Sequence, residues 1–353
     1  MAGRARARRT RTYAQSGVDR GAVGTALRAL LANVHPLVPP EHGVPVDLPG
    51  HYAGLVRIGR ETIAITTDTV GTKVQLAERL GRWEEVGEDM VAVNVNDLAA
   101  VGARPAGFVD TIVCARPDAA RFRAIGRGLH AGLTKAACAL LGGETAVQGE
   151  LIHGIDLGGT AIGFFPNGRA PVTGARIRPG DRLIGIPSSG PHANGYTLLR
   201  RVVDEANVDL RRPRPGGSVP VGRELLAPTR IYSEWADDLA SDAGVHGYAH
   251  LSGGGLRNLV RLHPAVRFTV DRWPTVPALF DWIAATGGIA EAEMFQTFNM
   301  GVGFVIVADA ARAGTILRRL ASIGAKDAVE IGRIDAGRGV VVPDRGLRYS
   351  GYA

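Results

Sequence analysis

Residues 166–179 form a run rich in proline, glycine and arginine with weak periodicity, and strand-like and helix-like segments alternate on both sides of it. Before the run, a hairpin is expected at 54–58 and 62–66, helices at 72–80, 85–101 and 118–137, and strands at 108–113 and 157–165. After it come strands near 182–186, 267–270, 302–308 and 329–334, with helices near 194–205, 224–239, 256–262, 276–285 and 310–323. Such interleaving predicts an α/β (α+β) chain of two domains, 13–168 and 169–353, joined through the proline-rich run. Ahead of them, Asp19 is a candidate N-cap for a helix carrying Val23, Ala26, Leu27 and Leu30, and the proline-rich stretch 36–49 reads as a loop.

Composition narrows the class. With 353 residues, 45% hydrophobic and 21% charged, the chain has the make-up of a globular protein, and no apolar run approaches the ~20 residues of a membrane span. Cys114 and Cys138 are the only cysteines, so a disulfide framework and a four-cysteine zinc site are excluded. No secretory signal pattern is visible, and the cytoplasm is the expected compartment. The net charge of +7 does not point to nucleic acid: Arg4, Arg6, Arg8, Arg9 and Arg11 lie in an acid-free tail, residues 1–12, and without them the balance is +2. That tail reads as a disordered, solvated extension, and neither nucleic-acid nor membrane partners are expected.

Several chemistries are absent. There is no P-loop, no dinucleotide-binding glycine fingerprint and no Gly-x-Ser-x-Gly elbow. His246 and His250 have the spacing of a helical metal pair, but Gly247 and the glycines that follow argue against a helix there.

Four polar strings remain. In Thr66-Thr67-Asp68-Thr69-Val70-Gly71-Thr72-Lys73 a strand gives way to a helix, so Asp68 either caps that helix or faces a divalent cation, with Lys73 near phosphate. In Val93-Asn94-Val95-Asn96-Asp97-Leu98, Asn96 and Asp97 interrupt a packed helix and either bind backbone groups or line a metal and nucleotide site. The apolar strand Leu140-Leu141 is expected to stop at Gly142-Gly143, where bare backbone can approach a ligand and Glu144 adds a hard oxygen, unless this is a plain turn. Between a strand and a helix, Ser188-Ser189-Gly190-Pro191-His192-Ala193-Asn194-Gly195 gathers hydroxyls, an imidazole and an amide suited to a phosphate monoester. Three scattered carboxylates, Asp68, Asp97 and Glu144, without a P-loop suggest Mg²⁺ and an unusual ATP site.

These strings, with Thr12-Tyr13-Ala14-Gln15-Ser16-Gly17-Val18-Asp19, Gly142-Gly143-Glu144-Thr145, Leu226-Ala227-Pro228-Thr229-Arg230-Ile231-Tyr232, Ala249-His250-Leu251-Ser252-Gly253-Gly254-Gly255 and Thr297-Phe298-Asn299-Met300-Gly301-Val302-Gly303, resemble the phosphoribosylformylglycinamidine cyclo-ligases (aminoimidazole ribonucleotide synthetases). His51-Tyr52-Ala53-Gly54 and residues 154–163 are most similar to the archaeal-type branch. The resemblance implies a homodimer whose N-terminal sheets close a barrel, a C-terminal α/β domain, and ATP-dependent ring closure of a ribonucleotide in purine biosynthesis. Carried over residue by residue, it implies that Asp68, Thr69, Gly71, Thr72, Lys73, Asn96, Asp97, Gly142, Gly143, Glu144 and Thr145 hold Mg-ATP, with Asp68, Asp97 and Glu144 on the metal. Ser188, Ser189, Gly190, His192 and Asn194 would hold the substrate, and His192, Asp97 and Asp68 would be catalytic, with His192 stabilising the phosphorylated intermediate or moving a proton.

Three positions depart from the family pattern: Thr69 stands where a glycine is usual, Thr111 where a tyrosine is, and Gln148-Gly149 where Met-Pro is. A positive φ at Thr69 would be disfavoured for threonine, which leaves two alternatives: a relative with an altered substrate, or a non-catalytic nucleotide-binding homologue.

Overall fold

The computed structural model describes residues 50–352 continuously, with 39–48, 20–32 and the single residues Thr12, Ser16 and Val34. The expected cap Asp19, the arginine tail and most of the Tyr13–Asp19 string lie outside the described residues. A first helix, α1 (Arg20–Leu31), carries the expected amphipathic stripe, and Val23, Leu27 and Leu30 are exposed on it.

The first sheet contains β1 (Val44–Val46), β2 (Gly54–Ile58), β3 (Glu61–Thr69), β4 (Arg104–Cys114), β5 (Ala139–Val147) and β6 (Ile155–Phe164), in the order β1-β2-β3-β6-β4-β5. Its ladders are antiparallel except for the parallel β4–β5 pair. The short strand β1 falls inside the stretch expected to be loop, where it pairs with β2. The second sheet holds β7 (Arg182–Pro187), β8 (Val245–His250), β9 (Val266–Thr269), β10 (Val302–Ala308), β11 (Val329–Ala336), β12 (Gly339–Val342) and β13 (Leu347–Tyr349), in the order β13-β12-β9-β11-β7-β10-β8.

Helix α2 (Lys73–Leu80) leads into α3 (Glu84–Ala99), the spine of the molecule. α3 packs on β3, β4 and β6, on α4 (Ala119–Ala136), and on β8 and α7 (Ser233–Leu239) from the second half. A helix enclosed on all sides must be apolar or small almost throughout, and α3 is buried nearly end to end. It meets α4 at backbone distance: a Cβ at Gly128 would lie 1.9 Å from Glu84 O. Glycine there permits a crossing that alanine would block.

Two expected elements take a different form. The single helix expected at 224–239 is two, α6 (Val221–Leu225) and α7, separated by 226–232. Pro228 cannot continue the hydrogen-bond ladder of a helix and disfavours helical backbone before it. The strand expected to stop at Gly142-Gly143 runs through both glycines to Val147, because the ladder to β4 continues on the far side of a register shift between Phe108 and Val109. Gly142 takes the shift with φ 152°.

Candidate active site at the junction of the two halves

Asp89, Asn96 and Asp97 are seven and eight residues apart, so they share one face of α3. That face meets the second half. Asp89 Oδ1 accepts from Thr229 N at 2.7 Å and Thr229 Oγ1 at 2.5 Å. Asn96 accepts from Tyr232 N at 2.8 Å and donates to Arg230 O at 2.9 Å. Side chains of α3 therefore supply the partners that helix would have given segment 226–232. Of the two readings open for Asn96, its contacts are with backbone.

Lys73 is fully buried. Its Nζ lies 2.6 Å from Asp89 Oδ2 and donates to His192 O and Ala227 O, each at 2.8 Å. The ammonium is enclosed by one carboxylate and two carbonyls, so the lysine expected beside phosphate ties α2 and α3 to two loops of the second half.

Asp68 and Asp97 come together. Asp68 closes the inner face of β3 beside α3, remains reachable by solvent, and does not cap α2, whose first turn has no side-chain cap. Crowding by protein atoms and the Asp97 carboxylate raise its pKa to about 6. Asp97 Oδ1 accepts from His250 Nδ1 at 2.9 Å. The other ring nitrogen of His250 is buried without a partner.

His192 is 1% exposed, with φ 62°. Tyr232 Oη donates to Pro187 O at 3.1 Å, so its 3.4 Å contact with His192 Nε2 places the imidazole proton on that nitrogen. Nδ1 is left as a buried acceptor without a partner, and the ring centroid lies 6.3 Å from that of His250. Burial, then the neighbouring His250, Lys73 and Arg230, holds the His192 pKa well below 6.5, so the ring is neutral. The loop around it is braced by Asn299: Ser188 Oγ donates to Asn299 Oδ1 at 2.9 Å, and Asn299 Nδ2 donates to Gly190 O at 2.8 Å. Ser189 Oγ donates to Pro228 O at 2.5 Å, while Asn194 is half-buried just ahead of α5 (Tyr196–Glu205).

Glu144 is not brought to this cluster. Thr69, Gly158, Thr111 and Glu144 form one register row across β3, β6, β4 and β5, which sets Glu144 about 14 Å from β3 at ordinary strand spacing. This row lies on the outer face, whereas Asp68 belongs to the neighbouring row that faces α3. A single cation shared by Asp68, Asp97 and Glu144 of one chain is therefore ruled out by the alternation of side chains along a strand. Asp110 does share the inner face, in the row Asp68, Gly159, Asp110, Gly143. A Cβ at Gly143 would fall 2.1 Å from Asp110 Oδ1, so the glycine makes room for that carboxylate. The sequence reading gave Asp110 no role, although its place opposite a glycine pair is the signal for one. His51 and Arg261 were also passed over. Arg261 stacks on Tyr52, 3.9 Å from the ring centroid, and donates to Gly50 O and His51 O, setting a positive charge near Asp68.

Thr69 ends β3 in extended conformation opposite Gly158, and the positive φ of this turn falls on Gly71 at 67°. The strain expected of threonine is absent.

Residues 50–165 match the model of the AIR synthase related protein, N-terminal domain, and residues 178–345 match its C-terminal domain. Among curated proteins, a Pyrococcus furiosus phosphoribosylformylglycinamidine cyclo-ligase is 40% identical over 96% of this chain and 99% of its own. Those of Thermococcus kodakarensis (43% identity; 84% of this chain, 87% of its own) and Methanosarcina barkeri (40%; 86% and 92%) are similar too. The chain belongs to this cyclo-ligase family. Its fold is shared more widely: a HypE–HypF complex matches with TM-score 0.66 at 16% identity, covering 92% of this chain and 98% of that one. A ThiL structure with AMPPCP and TMP matches at 0.63 and 15%, covering 94% and 96%. Among the described residues, no helix is long and apolar enough to cross a membrane.

Proposed function

We propose that this cyclo-ligase closes the imidazole ring of aminoimidazole ribonucleotide from formylglycinamidine ribonucleotide, using ATP and releasing ADP and phosphate. The observation that carries the reading is the Asp68–Asp97–His250 cluster at the junction of the two halves, in a chain 40% identical to named cyclo-ligases along nearly its whole length. The Asp97 carboxylate helps to raise the pKa of Asp68, so the place favours added positive charge, and all-oxygen donors suit Mg²⁺. Asp68 and Asp97 would hold that ion, which would neutralise phosphate charge when bound.

An amide oxygen is a poor leaving group, whereas its phosphoryl ester departs as phosphate. The formamide oxygen takes the γ-phosphoryl group of ATP, the amidine nitrogen attacks the same carbon, and phosphate leaves as the ring closes. The attacking nitrogen must lose a proton. His192 Nδ1 and His250 Nε2, both buried acceptors without partners, face this need. Ser188, Ser189, Gly190 and Asn194 line the substrate side, while Lys73 and Asn96 position the loops from behind. Thr69, Gly71, Thr72 and the β5 segment Gly142, Gly143, Glu144 and Thr145 would offer backbone and oxygen atoms to the nucleotide.

The outer face of the first sheet exposes Ile65, Val109 and Leu141. A second copy of the chain would cover it, closing a barrel and bringing a second Glu144 row near the nucleotide. On this reading the domains are 13–168 and 169–353, joined through the proline-rich run 166–179, and the cytoplasm is the compartment this chemistry fits.

Coupled ADP release with formylglycinamidine ribonucleotide tests the reading, and Asp97→Asn should reduce it by more than ~100-fold. A folded wild-type protein that binds Mg-ATP but turns over none of this nucleotide would refute it. Light scattering at micromolar concentration tests the dimer; a monomer would remove it.

A further inference from the structure

At the end of the second sheet remote from the Asp97–His250 contact, three side chains from neighbouring strands converge. Asp181 precedes β7, His246 lies near the start of β8, and Asp309 follows β10, which runs between those strands and antiparallel to both. Each residue offers one ligand atom, and the three atoms lie within 4.8 Å of one another. His246 and His250 are four residues apart, about 13 Å along β8, so this cluster is separate from the site above.

His246 is 6% exposed and Asp181 2%. Asp181 Oδ2 contacts His246 Nδ1 at 2.7 Å. Among the described residues His246 Nε2 has no hydrogen-bond partner, and the ring lines an open cavity of about 830 Å³ together with Asp309. The contact with Asp181 sets a ring nitrogen and a carboxylate oxygen side by side, where both can reach one ion.

Positive charge is already drawn to this place. Arg178 Nη2 lies 2.7 Å from Asp309 Oδ2, and its Nε lies 4.0 Å from Asp181 Oδ1. Its side chain is 65% exposed and can swing into solvent, which leaves both carboxylates to another cation.

We propose that Asp181, His246 and Asp309 bind a divalent ion of the zinc class, with Arg178 as the competing cation. One imidazole nitrogen and two carboxylates favour such an ion over Mg²⁺, which prefers oxygen and water alone. The ion would pin the ends of three adjacent strands.

The test is titration of metal-free, full-length protein with Co²⁺ in excess Mg²⁺, read by visible absorption, followed by displacement with Zn²⁺ in a calorimeter. One equivalent should bind. His246→Gln and Asp309→Asn should weaken it at least tenfold with unchanged circular dichroism, whereas Arg178→Gln should tighten it several-fold. The Arg178 and Asp309 variants lie towards the surface and keep the test decisive should the His246 variant fail to fold. No binding in wild type, or binding indifferent to Asp309→Asn and Arg178→Gln, would overturn the proposal.

Discussion

Lys73 Nζ and Asp89 Oδ2 face each other at 2.6 Å with no solvent on either side chain. The pair joins α2 to α3, and through Ala227 O and His192 O it reaches two loops of the second half. Lys73→Met would leave a buried carboxylate without its counter-charge, and should destabilise the protein by about 3–5 kcal/mol. Adding Asp89→Leu should recover part of that loss. Urea denaturation of the wild type and the two variants measures it; an unchanged midpoint for Lys73→Met, with only the KM for ATP raised, would return Lys73 to the phosphate.

Asn96 holds segment 226–232 by two hydrogen bonds to backbone. Asn96→Ala leaves Tyr232 N and Arg230 O without those partners, at about 1–3 kcal/mol each if they stay dry. Hydrogen exchange should quicken within 226–232 before it does in the sheets. Uniform acceleration across the chain would mean that the segment is held by other contacts.

Two histidines make stability depend on pH. His192 is held well below 6.5, and burial with the Arg261 charge lowers His51 to about 4. The unfolded chain takes up these protons below pH 6.5 while the folded chain does not, so stability is lost as pH falls. The slope is about 1.4 kcal/mol per pH unit for each ring, and for His51 it ends near pH 4. His192→Gln should flatten the unfolding free energy between pH 6.5 and 5. An unaltered slope would show that the ring protonates freely in the fold.

Gly303 lies under the His192–Tyr232 contact, where a Cβ would stand 2.0 Å from Tyr232 Oη and 2.5 Å from His192 Cε1. Gly303→Ala should destabilise by about 1–3 kcal/mol and lower kcat more than it raises the ATP KM, because it displaces the imidazole and leaves the Asp68 side untouched. Thermal melting and steady-state kinetics separate the two effects.

Much of this was legible in the chain. Sequence pattern located β2, β3, α2, α3, α4, β7 and β10: burial on one face gives α2 and α4 a helical period, and burial on both faces makes β7 and β10 short apolar runs. The polar strings marked the site because carboxylates and amides in an apolar helix or at strand ends need partners. β12 and β13 went unseen: short strands carry too few residues for a period to show.

Sequence alone determined the alternation of elements, the family and the residues with chemistry to offer. Which carboxylates meet was decided by tertiary structure, through the two-residue period of a strand and the pitch of α3. Asp68 faces inward to Asp97, while Glu144, one row over, faces outward three strands away. The inward turn of Lys73 had the same origin. Its target, Asp89, is sixteen residues on along the chain, and only the packing of α2 against α3 brings an ammonium and a carboxylate together where water cannot separate them.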